Sequence, residues 1–108
     1  MFNIANARFA FLDVETTGLS PWFGDRICQI AIVLTEGKRI KSTLDLLINP
    51  ERTLSPSAVH ANGLDESKLS AAPKFAEIAD QLEASLKDAV VVCHNAKFDI
   101  QFIDNEFR

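Results

Sequence analysis

The sequence predicts an α/β fold, a mixed sheet with flanking helices, on three observations. Residues 8–15 alternate between two faces with the period of two that is typical of a strand. Residues 73–87 repeat apolar side chains at the spacing of three and four that is typical of an amphipathic helix. Residues 89–93 are wholly apolar and precede a second helical pattern, which indicates a parallel strand that leads into a helix.

The first predicted strand, residues 8–15, places the acidic side chains Asp13 and Glu15 on one face together with two phenylalanines. Its other face is apolar, as in a strand at the centre of a sheet. The segment Thr16–Pro21 contains Gly18 and a proline, which end the strand in a turn.

Two further strands follow and complete an antiparallel meander. Residues 27–34 are apolar on both faces, which predicts a strand that is covered on both sides. The turn at residues 36–38 joins it to a third strand, residues 40–48, whose alternation predicts one wetter face and a place near the sheet edge. Asn49 and Pro50 end that strand.

The remaining elements form a helical crossover to a fourth strand. Two small helices are expected between residues 55 and 69, the first capped by Ser55, before the helix over 73–87. Because residues 89–93 are apolar throughout, we expect a parallel strand buried on both faces. Asn95 is the predicted N-cap of a helix through Phe107. One face of that helix carries Asp99, Phe102, Ile103 and Glu106.

Length and composition limit the classes of protein to consider. A chain of 108 residues with 47% apolar residues supports one folded domain, which excludes disorder as the main interpretation. No stretch is long enough for a membrane span, so a cytoplasmic protein with no membrane partner is expected. Cys28 and Cys93 form no disulfide or zinc pattern. The net charge of −4 argues against a protein that coats duplex nucleic acid without specificity.

The acidic residues at predicted strand and helix ends are the strongest chemical signal. Asp13 and Glu15 leave the same strand face, and Asp99 lies in the first turn of the last helix. If the fourth strand lies beside the first, the three carboxylates meet at neighbouring strand ends. Such hard oxygen ligands suit Mg²⁺ or Mn²⁺ better than Zn²⁺. The residues alone leave open that Asp13 and Glu15 are solvated strand-end groups and that Asp99 only compensates the helix dipole.

Two segments carry a resemblance to a known family. Phe11 to Gly18 (FLDVETTG) resembles the first motif of the DEDD exonucleases, of the DEDDh type, and His94 to Phe107 (HNAKFDIQFIDNEF) resembles the second. The extended second motif is especially similar to that of the proofreading epsilon subunits of bacterial DNA polymerase III. The resemblance covers essentially the whole chain, and the motifs occur in the family's order.

The resemblance implies a ribonuclease-H-like fold and a two-metal 3′–5′ exonuclease that shortens DNA 3′ ends. Asp13, Glu15 and Asp99 would be the catalytic metal ligands for Mg²⁺ or Mn²⁺. The partners would be a single-stranded DNA 3′ end and a DNA polymerase catalytic subunit. The substrate-binding residues implied by the two motifs are Thr16, Thr17, Gly18, Leu19, His94, Asn95 and Phe98.

The third motif of the family, a histidine shortly before an aspartate, is expected after the second motif, and no histidine occurs in residues 95–108. His94 cannot supply it, because the aspartate at a comparable interval, Asp99, already has the second-motif role. We therefore expect residues 1–108 to be the N-terminal part of a single exonuclease domain, C-terminally incomplete, with little activity alone. Two alternatives stay open: a non-catalytic nuclease-fold module associated with a polymerase, and an exoribonuclease that trims RNA 3′ ends.

In the loop between the first two predicted strands, Trp22 and Phe23 either pack locally or stack on a base.

Overall fold

The computed structural model describes residues 7–54, 56, 63 and 65–107. The strands form one sheet in the order β3-β2-β1-β4. β1 pairs with β2, and β2 with β3, in antiparallel fashion, whereas β4 runs parallel to β1. This confirms the predicted meander, with a helical crossover to a parallel fourth strand. The elements, in chain order, are β1 (Arg8–Thr16), a 3₁₀ turn (Pro21–Phe23), β2 (Ile27–Glu36), β3 (Arg39–Leu47), α1 (Glu66–Ser70), α2 (Phe75–Leu86), β4 (Val90–Cys93) and α3 (Ala96–Glu106).

The main core lies on one face of the sheet, where alternate strand residues meet the apolar stripes of α2 and α3. Burial removes these side chains from water and is the largest favourable contribution to folding. The strand residues in this core include Ala10, Leu12, Val14, Ile30 and Ile32, and the helix residues are Phe75, Ile78, Leu82, Phe102 and Ile103. The predicted division of β1 into an apolar and an acidic face is confirmed, because Ala10, Leu12 and Val14 are buried whereas Asp13 is exposed.

Two predictions about strand burial are wrong. β2 was expected to be covered on both sides, but Ala31 and Val33 are only partly buried. β4 was expected to be buried on both faces, but Val90, Val91 and Val92 are 44%, 36% and 36% exposed. The reason is position: β4 is at one edge of the described sheet, and α2 and α3 both pack on the face opposite Ala31 and Val33.

The remaining elements largely agree with the sequence pattern. β3 forms the opposite edge of the sheet, as predicted. Lys74 is the N-cap of α2, and its backbone N–H donates to the Glu77 side chain at 3.0 Å. Of the two small helices expected between residues 55 and 69, one is α1, which Asp65 caps. The other, at residues 55–61, falls largely outside the described residues.

Both cysteines are free thiols, as predicted. Cys28 is buried, and burial, followed by the nearby Glu15 charge, raises its pKa to about 12. Cys93 is only partly buried, because it ends the edge strand β4. None of the described helices is long and apolar enough to cross a lipid bilayer.

Candidate active site

The predicted metal-ligand candidates lie where β1, β4 and α3 come together. Asp13 and Glu15 are near the end of β1, and Leu12 pairs with Cys93, the last residue of β4. Because β1 and β4 are parallel, the chain leaves β4 beside Asp13 and enters α3. Asp99 lies in the first turn of α3, where its backbone N–H donates to the Asn95 carbonyl at 3.0 Å.

Burial and repulsion by neighbouring carboxylates raise the pKa values of Glu15 and Asp99. Burial is the largest cause of the raised pKa of Glu15, and the charges of Asp13 and Asp99 add to it. Burial also raises the pKa of Asp99, as does the Asp13 charge, whereas a contact with Cys93 and the charge of His94 act in the opposite direction. The three carboxyl groups thus lie close enough together to interact electrostatically. Of these residues, Asp99 is only 3% exposed.

The donor chemistry fits a divalent cation, but the described side chains do not form a closed ligand set. Carboxylate oxygens are the ligands that Mg²⁺ and Mn²⁺ prefer. A cation between them would relieve the repulsion that raises the pKa values of Glu15 and Asp99. Within residues 7–54, 56, 63 and 65–107, no three acidic, histidine or cysteine side chains converge tightly enough to hold a metal ion as they stand.

The turn that follows β1 is held by its own side chains. Thr16 Oγ1 donates to the Gly18 carbonyl at 2.6 Å. Thr17 is 1% exposed, and its hydroxyl donates to Asp25 Oδ1 at 2.9 Å while it accepts from the Arg26 N–H at 3.0 Å. The side chains of Thr16 and Thr17 therefore serve to shape the turn, and only Leu19, 84% exposed, extends freely into solvent.

Gly18 is required by a close approach of Asp25. A Cβ at position 18 would lie 2.5–2.7 Å from the Asp25 carboxylate, which is too short for any non-bonded contact. The same carboxylate accepts a hydrogen bond from the Ser20 N–H at 3.0 Å. Asp25 thus holds the turn in one conformation through its hydrogen bonds to Thr17 and Ser20.

The second-motif candidates lie at the start of α3. His94 and Asn95 are exposed, and Asn95 occupies the predicted N-cap position without a capping bond from its side chain. Phe98 is half-buried and packs on Phe102 with ring centroids 4.8 Å apart. An open depression of about 320 Å³ is lined by both Asp13 and His94, which brings one residue from each motif to the same surface.

The loop aromatics do not pack into the core. Trp22 is 72% exposed and Phe23 is 85% exposed, on the 3₁₀ turn that Gly24 ends in a left-handed conformation with φ of 88°. The Arg52 guanidinium donates to the Phe23 carbonyl at 3.3 Å, which fixes this turn from outside. Trp22 nevertheless lines a depression beside α3, so that local packing and base stacking both stay predictions.

Sequence reasoning missed an ion pair at the far end of α3. Arg26 Nε donates to the two carboxylate oxygens of Glu106 at 3.0 and 2.8 Å, and the guanidinium makes a further bond through its Nη2 atom. Glu106 also accepts from the backbone N–H of Ile27 at 3.1 Å. The sequence did contain a signal for this pair. Glu106 shares a helix face with the apolar Phe102 and Ile103, and a carboxylate buried on such a face needs a partner.

Comparisons with known proteins agree with the geometry. A family model described as "Exonuclease" (RNase_T) matches residues 10–108. A "DNA polymerase III subunit epsilon-like protein" of Rhodobacter capsulatus is 38% identical over 97 residues, which are 88% of this chain and 14% of that protein. The "DNA polymerase III subunit epsilon" of Treponema pallidum is 36% identical over 101 residues, 94% of this chain and 46% of that protein. The chain thus spans less than half the length of either relative.

Solved structures show the same fold. E. coli exonuclease I in complex with a dA16 oligonucleotide superposes with a TM-score of 0.83 at 24% identity, over 94% of this chain and 23% of that one. Such a match establishes the arrangement of strands and helices, and it confirms the predicted ribonuclease-H-like sheet. The resemblance of the chain to the DEDD 3′–5′ exonucleases is likewise confirmed by the family model and the epsilon relatives.

Proposed function

Because the chain belongs to the exonuclease family whose model spans residues 10–108, we propose that it hydrolyses phosphodiester bonds at DNA 3′ ends with two divalent cations. One observation carries this proposal. Asp13 and Glu15 come from β1 and Asp99 from α3, yet burial and the neighbouring carboxylate charges raise the pKa values of Glu15 and Asp99, an unfavourable arrangement unless cations are bound there.

In this proposal the three carboxylates hold Mg²⁺ or Mn²⁺. Asp13 is exposed toward substrate, Glu15 is half-buried, and Asp99 is held by the first turn of α3. Bound cations would neutralise the phosphate and activate water for an in-line displacement. An acidic surface without cations repels the phosphate. The positions of the carboxylates therefore determine where the cations, and with them the scissile phosphate, can bind.

The turn after β1 positions the terminal nucleotide. Thr16, Thr17 and Gly18 give the turn its shape, and Leu19 offers an apolar contact to a base or sugar. Just before α3, His94 lines the depression beside Asp13, and the exposed Asn95 follows it. Phe98, half-buried in the first turn of α3, is the third candidate from this motif. Trp22 and Phe23 are placed on the outside of the loop, where a second base could stack on them.

A single-stranded DNA 3′ end is the proposed substrate, and a DNA polymerase catalytic subunit in the cytoplasm is the proposed partner. Support comes from the relatives, a DNA polymerase III subunit epsilon and an epsilon-like protein, and from the E. coli exonuclease I complex with an oligonucleotide. RNA is the competing substrate, and a side-by-side assay on DNA and RNA ends distinguishes the two.

We further propose that residues 1–108 are the part of one exonuclease domain that carries its first two motifs. The two histidines of the chain, His60 and His94, both occur before the end of the second motif, whereas the general base of the family belongs to its third motif. Without a positioned base, proton removal is slower by roughly 10²- to 10⁴-fold. The 108-residue chain is therefore expected to bind cations and to have little nuclease activity alone.

Calorimetric titration with Mn²⁺ tests the cation site directly. The unsubstituted chain should bind Mn²⁺, whereas Asp13→Ala and Asp99→Asn should lose most of the affinity. Asp104→Asn is the matched control, because Asp104 lies on the same helix as Asp99 but is exposed on another face. Equal Mn²⁺ affinity for Asp99→Asn and Asp104→Asn would contradict the assigned ligand set.

Incubation with 3′-labelled single strands tests the reaction and separates the alternatives. Weak, Mg²⁺-dependent shortening of DNA that Asp13→Ala abolishes supports the proposal. Preference for RNA of the same sequence would favour the RNA-trimming alternative. Mn²⁺ binding with no turnover on either strand would favour the non-catalytic module.

A further inference from the structure

We propose that Arg26 is a positioning residue, which couples the helix that carries Asp99 to the turn that follows Asp13 and Glu15. This inference rests on the proposed function and deepens it, because it concerns how the two parts of the carboxylate site keep their relative placement. Arg26 precedes β2 and belongs to neither motif. It nevertheless contacts both of the segments that the motifs occupy.

The contact with α3 is the stronger of the two. The Arg26 guanidinium binds the Glu106 carboxylate in a two-pronged fashion, with Nε donating to Oε2 at 2.8 Å and Nη2 donating to Oε1. The Glu106 side chain is only 2% exposed, so this pair is shielded from water on the carboxylate side. Two-pronged arginine–carboxylate pairs fix geometry as well as contributing energy.

The contact with the turn runs through the Arg26 backbone. Its carbonyl accepts from the Thr17 N–H at 2.9 Å, and its N–H donates to the Thr17 hydroxyl at 3.0 Å. Thr17 is in turn bound to Asp25, the residue that shapes the loop around Gly18. A displacement of Arg26 is therefore transmitted to the residues directly after Glu15.

The α3 face explains why a contact at Glu106 controls Asp99. The two residues are seven positions apart, about two helical turns or roughly 10.5 Å along the axis, and share one face. Phe102 and Ile103 lie between them and are buried in the main core. A helix is rigid over this length, so that holding Glu106 fixes the rotation and the axial position that Asp99 adopts.

Second contacts keep Arg26 in place. Its Nη1 lies 3.7 Å from Glu51, which itself pairs with Lys74 at 3.4 Å, just before α2. Hydrogen bonding to Glu106 is the largest cause that raises the pKa of Arg26. An arginine guanidinium is charged at neutral pH in any case, and this hydrogen bond favours its charged form further.

Two conservative variants test the coupling in the 108-residue chain. Glu106→Gln keeps an acceptor for the Ile27 N–H, and Arg26→Lys keeps the positive charge, but neither retains the two-pronged pair. Both variants should weaken Mn²⁺ binding by roughly 10- to 100-fold, the usual effect of losing a group that orients a metal ligand. Glu106→Gln should also speed hydrogen exchange at the Thr17 amide, although Thr17 makes no direct bond to Glu106.

Glu36→Gln is the matched control, since it removes the arginine–carboxylate pair between Arg8 and Glu36 at the other end of β1 and β2. It should change neither Mn²⁺ affinity nor exchange at Thr17. Folded Arg26→Lys and Glu106→Gln variants with unchanged Mn²⁺ affinity would overturn the positioning role alone. Failure of the unsubstituted chain to bind Mn²⁺ would instead overturn the cation site of the proposed function.

Discussion

Asp99 and Glu106 lie on the same face of the same helix, and both are almost fully buried, at 3% residue and 2% side-chain exposure respectively. Glu106 has a bound arginine and a backbone N–H as partners. Asp99 faces other carboxylates, and its pKa is raised by burial and by Asp13. Glu106 is thus stabilised by its partners in the fold, whereas the burial of Asp99 near other carboxylates destabilises the fold. Because burial and Asp13 outweigh the opposing effects of Cys93 and His94, a cation from solution would stabilise the charged form of Asp99.

The largest expected effect is the loss of the Glu106 partner. Arg26→Gln leaves a buried carboxylate without its counter-charge, so we expect the free energy of unfolding to fall by roughly 3 kcal/mol. Urea denaturation followed by circular dichroism measures this loss. Arg8→Gln removes a partly exposed pair and should lower stability by less than about 1 kcal/mol. Similar losses for both variants would show that Glu106 does not depend on its partner.

A bound divalent cation should neutralise the Asp99 carboxylate as the Arg26 guanidinium neutralises the Glu106 carboxylate. At a free Mn²⁺ concentration of 100 times Kd, the folded chain should gain about 2.7 kcal/mol of stability, because only the folded state assembles the site. Thermal unfolding with and without Mn²⁺ measures the gain. In Asp99→Asn the gain should vanish, and in Asp104→Asn it should remain. An equal gain in both would mean that Mn²⁺ binds elsewhere.

The same chemical change at the two acids should have opposite effects without metal. Glu106→Gln should lower stability by about 1.5–3 kcal/mol, because charge-assisted hydrogen bonds to Arg26 are lost. Asp99→Asn should raise stability by about 0.5–1 kcal/mol, since the repulsion by Asp13 is removed. Both values come from urea denaturation in chelator. Destabilisation by Asp99→Asn would contradict the view that this acid is a cost to the fold.

The pH dependence should be the smallest effect. The folded pKa values of Glu15 and Asp99 are raised above 4.5 and 3.8, so the folded state binds more protons than the unfolded state in the window between each pair of values. Stability therefore falls as the pH rises through that window, and the full cost remains above it. The stability difference between the double variant Glu15→Gln/Asp99→Asn and the unsubstituted chain, measured in chelator from pH 4 to 8, should grow with pH. A constant difference would refute the raised pKa values.

Local patterns predicted the elements well, and partners distant in sequence account for what they missed. The alternation around Asp13 and the helical period around Asp99 reflect backbone geometry, which the sequence carries locally. The prediction that Val90 and Val92 are buried was wrong, because their exposure depends on which elements cover the sheet and not on how apolar they are. Arg26 was missed because its partner lies 80 positions away.

The Asp25 carboxylate, which fills the space where a Cβ at position 18 would be, has a consequence for mutational tolerance. Alanine at position 18 is excluded by a neighbour's side chain, and the Gly18 backbone itself has no left-handed conformation that would exclude it. The two positions should therefore show strong epistasis. Gly18→Ala should be poorly tolerated in the unsubstituted chain, yet it should cost much less when combined with Asp25→Ala, and double-variant unfolding would measure that non-additivity.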